Sequence, residues 1–250
     1  MKLSIQKTIL PFLLIGAAWI VLACSKTNSN HNQMASQPID TTTNTRDTTT
    51  KTYLALGDSY TIGQSVPLSE NYPNQTISLL NNKGYSFSSP QIIATSGWTT
   101  VNLLGALAAK KNLLPSYNIV TLLIGVNNQY QGGSQSDYKT DFTTLLQQSI
   151  AYAGNNPSHV IVISIPDYSG TPFGNGRNNR ATISSEIDSF NAINKEISTD
   201  YKVNYINVTD ESRKAFTDNS LLASDGLHYS EKEYAIWAGL LAAQIEKILQ

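Results

Sequence analysis

The sequence has little cysteine, histidine and net charge. Its 250 residues include one cysteine, Cys24, and three histidines, and the formal net charge is −1. A single cysteine excludes an internal disulfide framework and a cysteine metal cluster, and an acylated Cys24 would also exclude a cysteine nucleophile. Because basic and acidic residues are nearly equal in number, the chain has no excess of positive charge for binding phosphate groups, and we expect no nucleic-acid partner. Since neither a second usable histidine nor a carboxylate cluster is available as ligand, we expect no metal and no cofactor.

Residues 1–24 have the layout of an export signal. Two lysines precede an apolar stretch from Thr8 to Ala23, as in a secretory signal peptide. The segment "VLAC", Val21 to Cys24, resembles the bacterial lipobox, in which the cysteine is acylated and becomes the mature N-terminus. We therefore expect an exported lipoprotein, held at a membrane of the cell envelope by a lipid on Cys24. An ordinary cleaved signal peptide and an uncleaved anchor helix are the alternatives.

Residues 25–51 are almost free of apolar side chains and rich in Thr, Asn and Ser. This composition buries too little apolar surface to offset the entropy of ordering the chain. We therefore predict a disordered tether, in which His31 is solvated. The folded domain is expected to cover residues 52–250, a length that suits one α/β domain, and we expect it to be monomeric.

Strands and helices alternate along this predicted domain. Apolar runs rich in Val, Ile and Leu occur at 53–57, 91–95, 118–124, 159–165 and 203–208. Such runs are typical of strands buried on both faces of a parallel sheet. Apolar residues spaced by three and four predict helices between them, and Ser230 with Glu233 predicts a capping box before the last helix. The sequence therefore predicts an α/β fold, a three-layer α/β/α sandwich with a mainly parallel, five-stranded sheet.

Several chemically useful residues follow these strands, at the edge where parallel sheets bind ligands. Gly57-Asp58-Ser59 follows the first strand, Gly97 the second and Asn127 the third, and Asp225 and His228 precede the last helix. A hydroxyl, an imidazole, a carboxylate and hydrogen-bond donors are the groups that acyl transfer requires.

His228 is the histidine left for catalysis, because the other two lie in the tether and at the start of a strand on the opposite edge. Its imidazole suits removal of the Ser59 proton near neutral pH. Asp225, three residues earlier, is close enough to hold the imidazole in the required tautomer. Asp167 also lies at a strand end and is the rival partner for the histidine.

An acyl-transfer site also needs donors for the negative oxygen of the tetrahedral intermediate. The candidates are the backbone N–H groups of Ser59 and Gly97 and the side-chain amide of Asn127. Ser59 and Asn127 have an alternative interpretation as turn residues. Asp58 is expected to be structural, accepting hydrogen bonds from local backbone N–H groups.

Together, "GDS", the lone glycine after the second strand, "GVN" and "DGLH" resemble the SGNH, or GDSL-type, hydrolase family. The resemblance covers the whole predicted domain. It implies a flavodoxin-like fold and a metal-free esterase, lipase, thioesterase or carbohydrate deacetylase activity. It also implies Ser59 as nucleophile, Gly97 and Asn127 as oxyanion donors, and Asp225 with His228 as the rest of a triad.

Two positions depart from the family pattern. Tyr60 stands where a leucine often follows Gly-Asp-Ser, which we interpret as a change in packing. Asn128 stands where an aspartate commonly follows the asparagine of the third block, so we expect the loop to lack a supporting carboxylate.

The expected substrate is a short-chain ester, with an acetylated glycan as the natural candidate. The loops around Ser59 contain Trp98, Tyr130, Tyr168 and Phe173 among polar residues, a mixture that suits a sugar ring. The first three are substrate-binding candidates, with simple packing as their alternative. No long apolar insertion is present to bury a fatty chain. A lysophospholipase or thioesterase of the same family, and a non-catalytic glycan-binding surface lipoprotein, are the alternative functions.

Overall fold

The computed structural model describes residues 49–176 and 179–250. The predicted signal peptide, Cys24 and almost all of the predicted tether lie outside these ranges. Lys51, predicted to end the tether, is part of the fold: it is buried, and its backbone N–H donates to the Ser86 carbonyl at 2.6 Å. None of the helices in the described ranges has the length and apolar composition of a membrane span.

Strands and helices alternate in the described ranges, as the sequence predicts. The strands are β1 (Tyr53–Gly57), β2 (Gln91–Ala94), β3 (Ile119–Leu123), β4 (Val160–Ile163) and β5 (Asn204–Ile206). The helices are α1 (Ser59–Ile62), α2 (Tyr72–Asn82), α3 (Thr100–Ala109), α4 (Val126–Tyr130), α5 (Gln135–Tyr152), α6 (Pro172–Asn175), α7 (Arg180–Asp200), α8 (Thr209–Ser212) and α9 (Glu231–Ile248).

The sheet is parallel, with the strand order β2-β1-β3-β4-β5. This is the flavodoxin-like order. Strands β1, β3 and β4 are buried along their whole length, because helices cover both faces. Helix α2 packs against α9 on one face, and α3, α5 and α7 pack side by side on the other. The predicted three-layer α/β/α sandwich is confirmed.

Two glycines allow the chain to leave β1 and β3 side by side. A Cβ atom on Gly57 would lie 2.1 Å from Thr61 Oγ1 and 2.3 Å from the Leu123 carbonyl oxygen. Gly125 has a φ of 134°, and a Cβ there would lie 2.7 Å from the Tyr138 ring. Larger residues would therefore push these turns apart. The turns meet where the connections of the sheet leave in opposite directions, which is where such folds place their ligand crevice.

The predicted capping box at the start of α9 is wrong. Ser230 is the N-cap residue, but its hydroxyl donates to the Ser220 carbonyl at 2.8 Å. Glu233 is buried, and it accepts a hydrogen bond from the Trp237 indole N–H at 2.7 Å. Glu233 lies on the side of α9 that faces the core, so its carboxylate accepts from the buried indole, which needs an acceptor.

Candidate active site

Ser59 is held on a one-turn helix directly after β1. Asp58 is the N-cap of α1, and its Oδ1 accepts from the Tyr60 backbone N–H at 3.0 Å. Gly63 ends the helix in the left-handed conformation, with a φ of 74°, and donates to the Ser59 carbonyl at 3.1 Å. Asp58 thus has the structural role expected from the sequence. The short helix places Ser59 at the carboxyl edge of the sheet.

Asp225 and His228 are joined within the loop before α9. Asp225 Oδ2 lies 2.7 Å from His228 Nδ1. Asp225 Oδ1 accepts from the backbone N–H groups of Leu227 and His228, both at 2.9 Å. A proton on Nδ1 shared with an ionised carboxylate leaves Nε2 as the acceptor on the other side of the ring. This is the tautomer that a general base for Ser59 requires.

The Asp225 carboxyl is ionised over the neutral pH range. Partial burial favours its neutral form, but hydrogen bonds from Ser65, His228 and two backbone N–H groups outweigh this effect and hold the pKa of Asp225 well below its usual range. The Ser65 hydroxyl donates at 2.6 Å. Sequence reasoning missed Ser65, because no local pattern links it to a residue 160 positions later.

Asp167, the rival partner, is used elsewhere. Its buried carboxylate accepts from Arg213 Nε at 2.9 Å and from the Ser184 hydroxyl. Burial favours the neutral carboxyl, but these donors and the Ser169 hydrogen bonds lower the pKa of Asp167. The Asp167 carbonyl accepts from the Tyr229 hydroxyl at 2.8 Å, which supports the residue next to the histidine.

The Asn127 side chain is oriented by a neighbouring loop. Its Nδ2 donates to the Trp98 carbonyl oxygen at 3.0 Å. Since a primary amide has two N–H groups, the second is left for a ligand. Gly97 lies in an exposed turn with a φ of 81°. In the described part of the chain, the backbone N–H groups of Ser59 and Gly97 donate to no other protein group. One N–H of the Asn127 amide is thus used by Trp98, and its other N–H and the two backbone N–H groups have no protein acceptor in the described ranges.

Asn128 is held by a chain of hydrogen bonds through Thr100 of α3 to Asp141 of α5. Its Oδ1 accepts from the Thr100 backbone N–H at 3.1 Å, and its Nδ2 donates to Thr100 Oγ1 at 2.8 Å. Thr100 Oγ1 in turn donates to Asp141 Oδ2 at 2.9 Å. The expectation that this loop lacks a supporting carboxylate is therefore wrong. Asp141 supplies one through the Thr100 hydroxyl.

Ser59, Asn127 and His228 line one cavity of about 190 Å³. Within the described ranges no hydrogen bond joins Ser59 to His228, and in structures without substrate such catalytic contacts are often long. The remaining walls are apolar or aromatic: Tyr60, Val126, Tyr130, Tyr168, Phe173 and Leu227.

The aromatic walls differ in how they are held. Tyr168 is buried and donates to Gln129 Oε1 at 3.0 Å, whereas Tyr130 and Phe173 are 42% and 38% exposed, with ring centroids 6.0 Å apart. Tyr60 is buried, and the centroid of its ring lies 5.5 Å from that of the His228 ring, in agreement with a packing role. Trp98 does not line this cavity and contributes its carbonyl instead.

Three solved structures with similar folds are an acylhydrolase and two esterases by their descriptions. A lipase/acylhydrolase from Enterococcus faecalis has 18% identity and a TM-score of 0.64, with 79% of this chain and 96% of that chain covered. An acetylxylan esterase from Geobacillus stearothermophilus has 16% identity and a TM-score of 0.61, with 78% and 94% covered. The psychrotrophic esterase EstA from Pseudoalteromonas sp. has 19% identity and a TM-score of 0.59, with 80% and 98% covered. At these identities the likeness concerns the fold.

The sequence itself matches a family model. The model is described as the GDSL-like Lipase/Acylhydrolase family, and the match covers residues 55–236. No curated protein sequence matches the chain. The matched range includes Ser59, Asn127, Asp225 and His228, and it confirms the resemblance drawn from the motifs. This chain belongs to the GDSL-like lipase/acylhydrolase family.

Proposed function

We propose that this chain is an extracytoplasmic serine esterase that removes short acyl groups, with acetyl esters of carbohydrates as the natural substrate class. The observation that carries the proposal is the cavity itself. Ser59, Asn127 and His228 line it together, and Asp225 binds the far side of the His228 ring. A nucleophile, a base with its orienting carboxylate and an amide donor thus meet at one small pocket.

The proposed reaction has two steps. Ser59 Oγ attacks the ester carbonyl carbon while His228 Nε2 takes the serine proton, and His228 then protonates the departing alcohol. Water attacks the resulting acyl-enzyme, again with His228 as base, and the acid product leaves as Ser59 regains its proton. Asp225 stabilises the imidazolium in both steps. The backbone N–H groups of Ser59 and Gly97 and the free N–H of Asn127 stabilise the oxyanion.

The size of the cavity supports a short acyl group. A volume of about 190 Å³ is below the roughly 300–1,000 Å³ of pockets that enclose drug-sized ligands. Each methylene of a longer chain gains about 0.8 kcal/mol only if apolar wall surrounds it. The Tyr60, Val126 and Leu227 side chains provide such a wall over a short distance.

The rim of the cavity supports a ring-shaped alcohol. Tyr130 and Phe173 have partly exposed aromatic rings, and their planes are tilted by 39°. Aromatic faces bind the apolar face of a sugar while leaving its hydroxyl groups in water. A similar fold carries acetylxylan esterase activity by its description.

The decisive experiment combines covalent labelling with an ester panel. The protein is treated with a serine-directed phosphonate, and kcat/KM is measured on nitrophenyl acetate, butyrate and palmitate. We expect labelling and turnover to be lost in Ser59→Ala and retained in Ser69→Ala, since Ser69 is an exposed serine that does not line the cavity. We expect the highest kcat/KM on acetate, followed by acetate release from acetylated polysaccharide.

Each other outcome changes the proposal in a defined way. A steady rise of kcat/KM from acetate to palmitate contradicts the short-acyl assignment and favours a lysophospholipase. Polysaccharide binding without turnover or labelling favours a non-catalytic glycan-binding protein.

We also propose that the protein is exported and anchored at a membrane of the cell envelope through a lipid on Cys24. The basic and apolar segments before "VLAC" support this location. The full chain is expected to partition into detergent, and Cys24→Ser to abolish that partition. A truncated chain starting at Thr49, which keeps the buried Lys51, should retain full activity in the aqueous phase. An aqueous wild-type protein would contradict the anchor.

A further inference from the structure

Ser65 has a backbone conformation that helix termination does not explain. It has a φ of 70°, one of three positive values at non-glycine residues in the described ranges, with Asn155 and Lys202. Those two follow long helices and donate to carbonyls near the helix ends, at Ile150 and Thr199, which is a common way for helices to end. Helix α1 is already ended by Gly63.

The conformation directs the Ser65 hydroxyl at Asp225. Ser65 Oγ donates to Asp225 Oδ2 at 2.6 Å, although Ser65 is exposed. The Val66 backbone N–H donates to the Gly63 carbonyl at 3.2 Å, so Ser65 is the third residue of a tight turn that requires a positive φ. The turn thus presents the hydroxyl of an exposed serine to the carboxylate that binds His228.

The contact also differs in origin from the other donors to this carboxylate. Asp225 accepts four hydrogen bonds, and three come from its own loop: the backbone N–H groups of Leu227 and His228 and the His228 ring. The fourth comes from Ser65, in the loop that follows the nucleophile. That loop is bound to Ser59 itself, since the Ser59 carbonyl accepts from the Gly63 and Gln64 N–H groups at 3.1 and 2.9 Å.

We propose that Ser65 is a positioning residue, which fixes the Asp225 carboxylate, and through it the His228 ring, relative to Ser59. The inference rests on the proposed esterase function of the same site. The Asp225–His228 loop can align its own two residues without help. Its alignment with the nucleophile requires a contact between the two loops, and Ser65 supplies a charge-assisted one.

The test separates the hydroxyl from the backbone conformation. Ser65→Gly removes the hydroxyl but accepts a positive φ without strain. We expect kcat to fall about tenfold with KM changed less than about twofold, and the unfolding midpoint to stay equal or rise. The acid limb of the kcat/KM profile should move to higher pH, because a carboxylate with one donor fewer holds the protonated imidazole more tightly. Asn155→Gly is the matched control, and it should change neither kcat nor the acid limb.

A purely structural role for Ser65 predicts the opposite pattern. Ser65→Gly would then keep kcat within about twofold of wild type, with an unshifted acid limb, and the inference would be overturned. Ser65→Ala should lose as much kcat as Ser65→Gly, and its unfolding midpoint should be lower than that of Ser65→Gly, because alanine keeps the unfavourable positive φ that glycine accepts freely. Full turnover in Ser59→Ala would overturn the proposed function and this inference with it. If Ser59→Ala lost its activity while Ser65→Gly kept it, only the role of Ser65 would be overturned.

Discussion

Asn128 and Thr100 form two hydrogen bonds with each other, one through the Thr100 backbone N–H at 3.1 Å and one through its hydroxyl at 2.8 Å. The hydroxyl has a single proton, which it donates to Asp141 Oδ2. An amide at position 128 is therefore matched to a carboxylate at position 141. The pair joins α4, which carries Asn127, to the start of α3.

This match predicts the result of a charge swap. Asn128→Asp should lower the free energy of unfolding by about 1–3 kcal/mol, because two carboxylates would then share one hydroxyl proton in a buried place. The double variant Asn128→Asp/Asp141→Asn should recover most of the loss. Denaturant unfolding measures both. Equal stability of the single and double variants would show that Thr100 does not connect the two positions.

Asn127→Ala tests the oxyanion assignment. We expect kcat to fall by about 10²-fold with little change in KM, because the amide meets a charge that exists mainly in the transition state. Asn128→Ala is the neighbouring control, with a smaller loss of kcat and a larger loss of stability. If Asn128→Ala had the larger effect on kcat, the oxyanion role would belong to Asn128 and not to Asn127.

Ser59 and His228 are expected to act as one unit. Ser59→Ala and His228→Ala should each lower kcat by about 10³-fold or more, and the double variant should be scarcely slower than either single variant. Steady-state kinetics on nitrophenyl acetate measures all three, and circular dichroism checks the fold. Multiplicative losses in the double variant would argue against a shared mechanism.

Asp58 is expected to make stability depend on pH. Burial raises the pKa of Asp58 to about 7 from 3.8, against the opposing effect of the hydrogen bond from Tyr60. The folded state thus binds the proton more tightly than the unfolded chain. Protonated Asp58 therefore makes its full contribution to the free energy of unfolding below about pH 4, and this contribution is lost as pH rises through 7. The loss is at most about 4 kcal/mol.

Asp58→Asn removes the ionisation and keeps an acceptor for the Tyr60 N–H. We expect it to flatten the fall of unfolding free energy between pH 4 and 7, whereas exposed Asp200→Asn should leave that slope as in wild type. The slope is the diagnostic quantity, since the new amide replaces an oxygen, Oδ2, that has no hydrogen-bond partner in the described part of the chain. An unchanged slope in Asp58→Asn would assign the pH dependence to other groups.

Phe173→Ala tests the sugar-binding rim. A stacking contact is worth about 0.5–1.5 kcal/mol beyond its area, so kcat/KM on an acetylated oligosaccharide should fall about tenfold, and that on ethyl acetate much less. Leu114→Ala is the control, since Leu114 is a similarly exposed apolar residue before β3, at the opposite edge of the sheet. Equal losses on both esters would place Phe173 in the acyl site instead.

Much of the fold could be predicted because its signals are local. The five apolar runs correspond to β1–β5 within a few residues, since burial on both faces of a parallel sheet leaves a continuous Val, Ile and Leu pattern. The contact between Asp225 and His228 was predictable for the same reason, because three residues in a tight turn need no help from the rest of the chain.

The sequence by itself thus determined the order of strands and helices, the family and the residues of the candidate triad. Only the tertiary structure decided which polar side chains support them. Ser65 meets Asp225 across 160 positions, and Asp141 reaches Asn128 through Thr100. Glu233 accepts a hydrogen bond from Trp237 and does not cap the start of the helix, because its side chain lies on the buried side of α9. Serine, threonine and asparagine are common in this chain and carry no periodic signal, so their partners depend on how distant loops pack together.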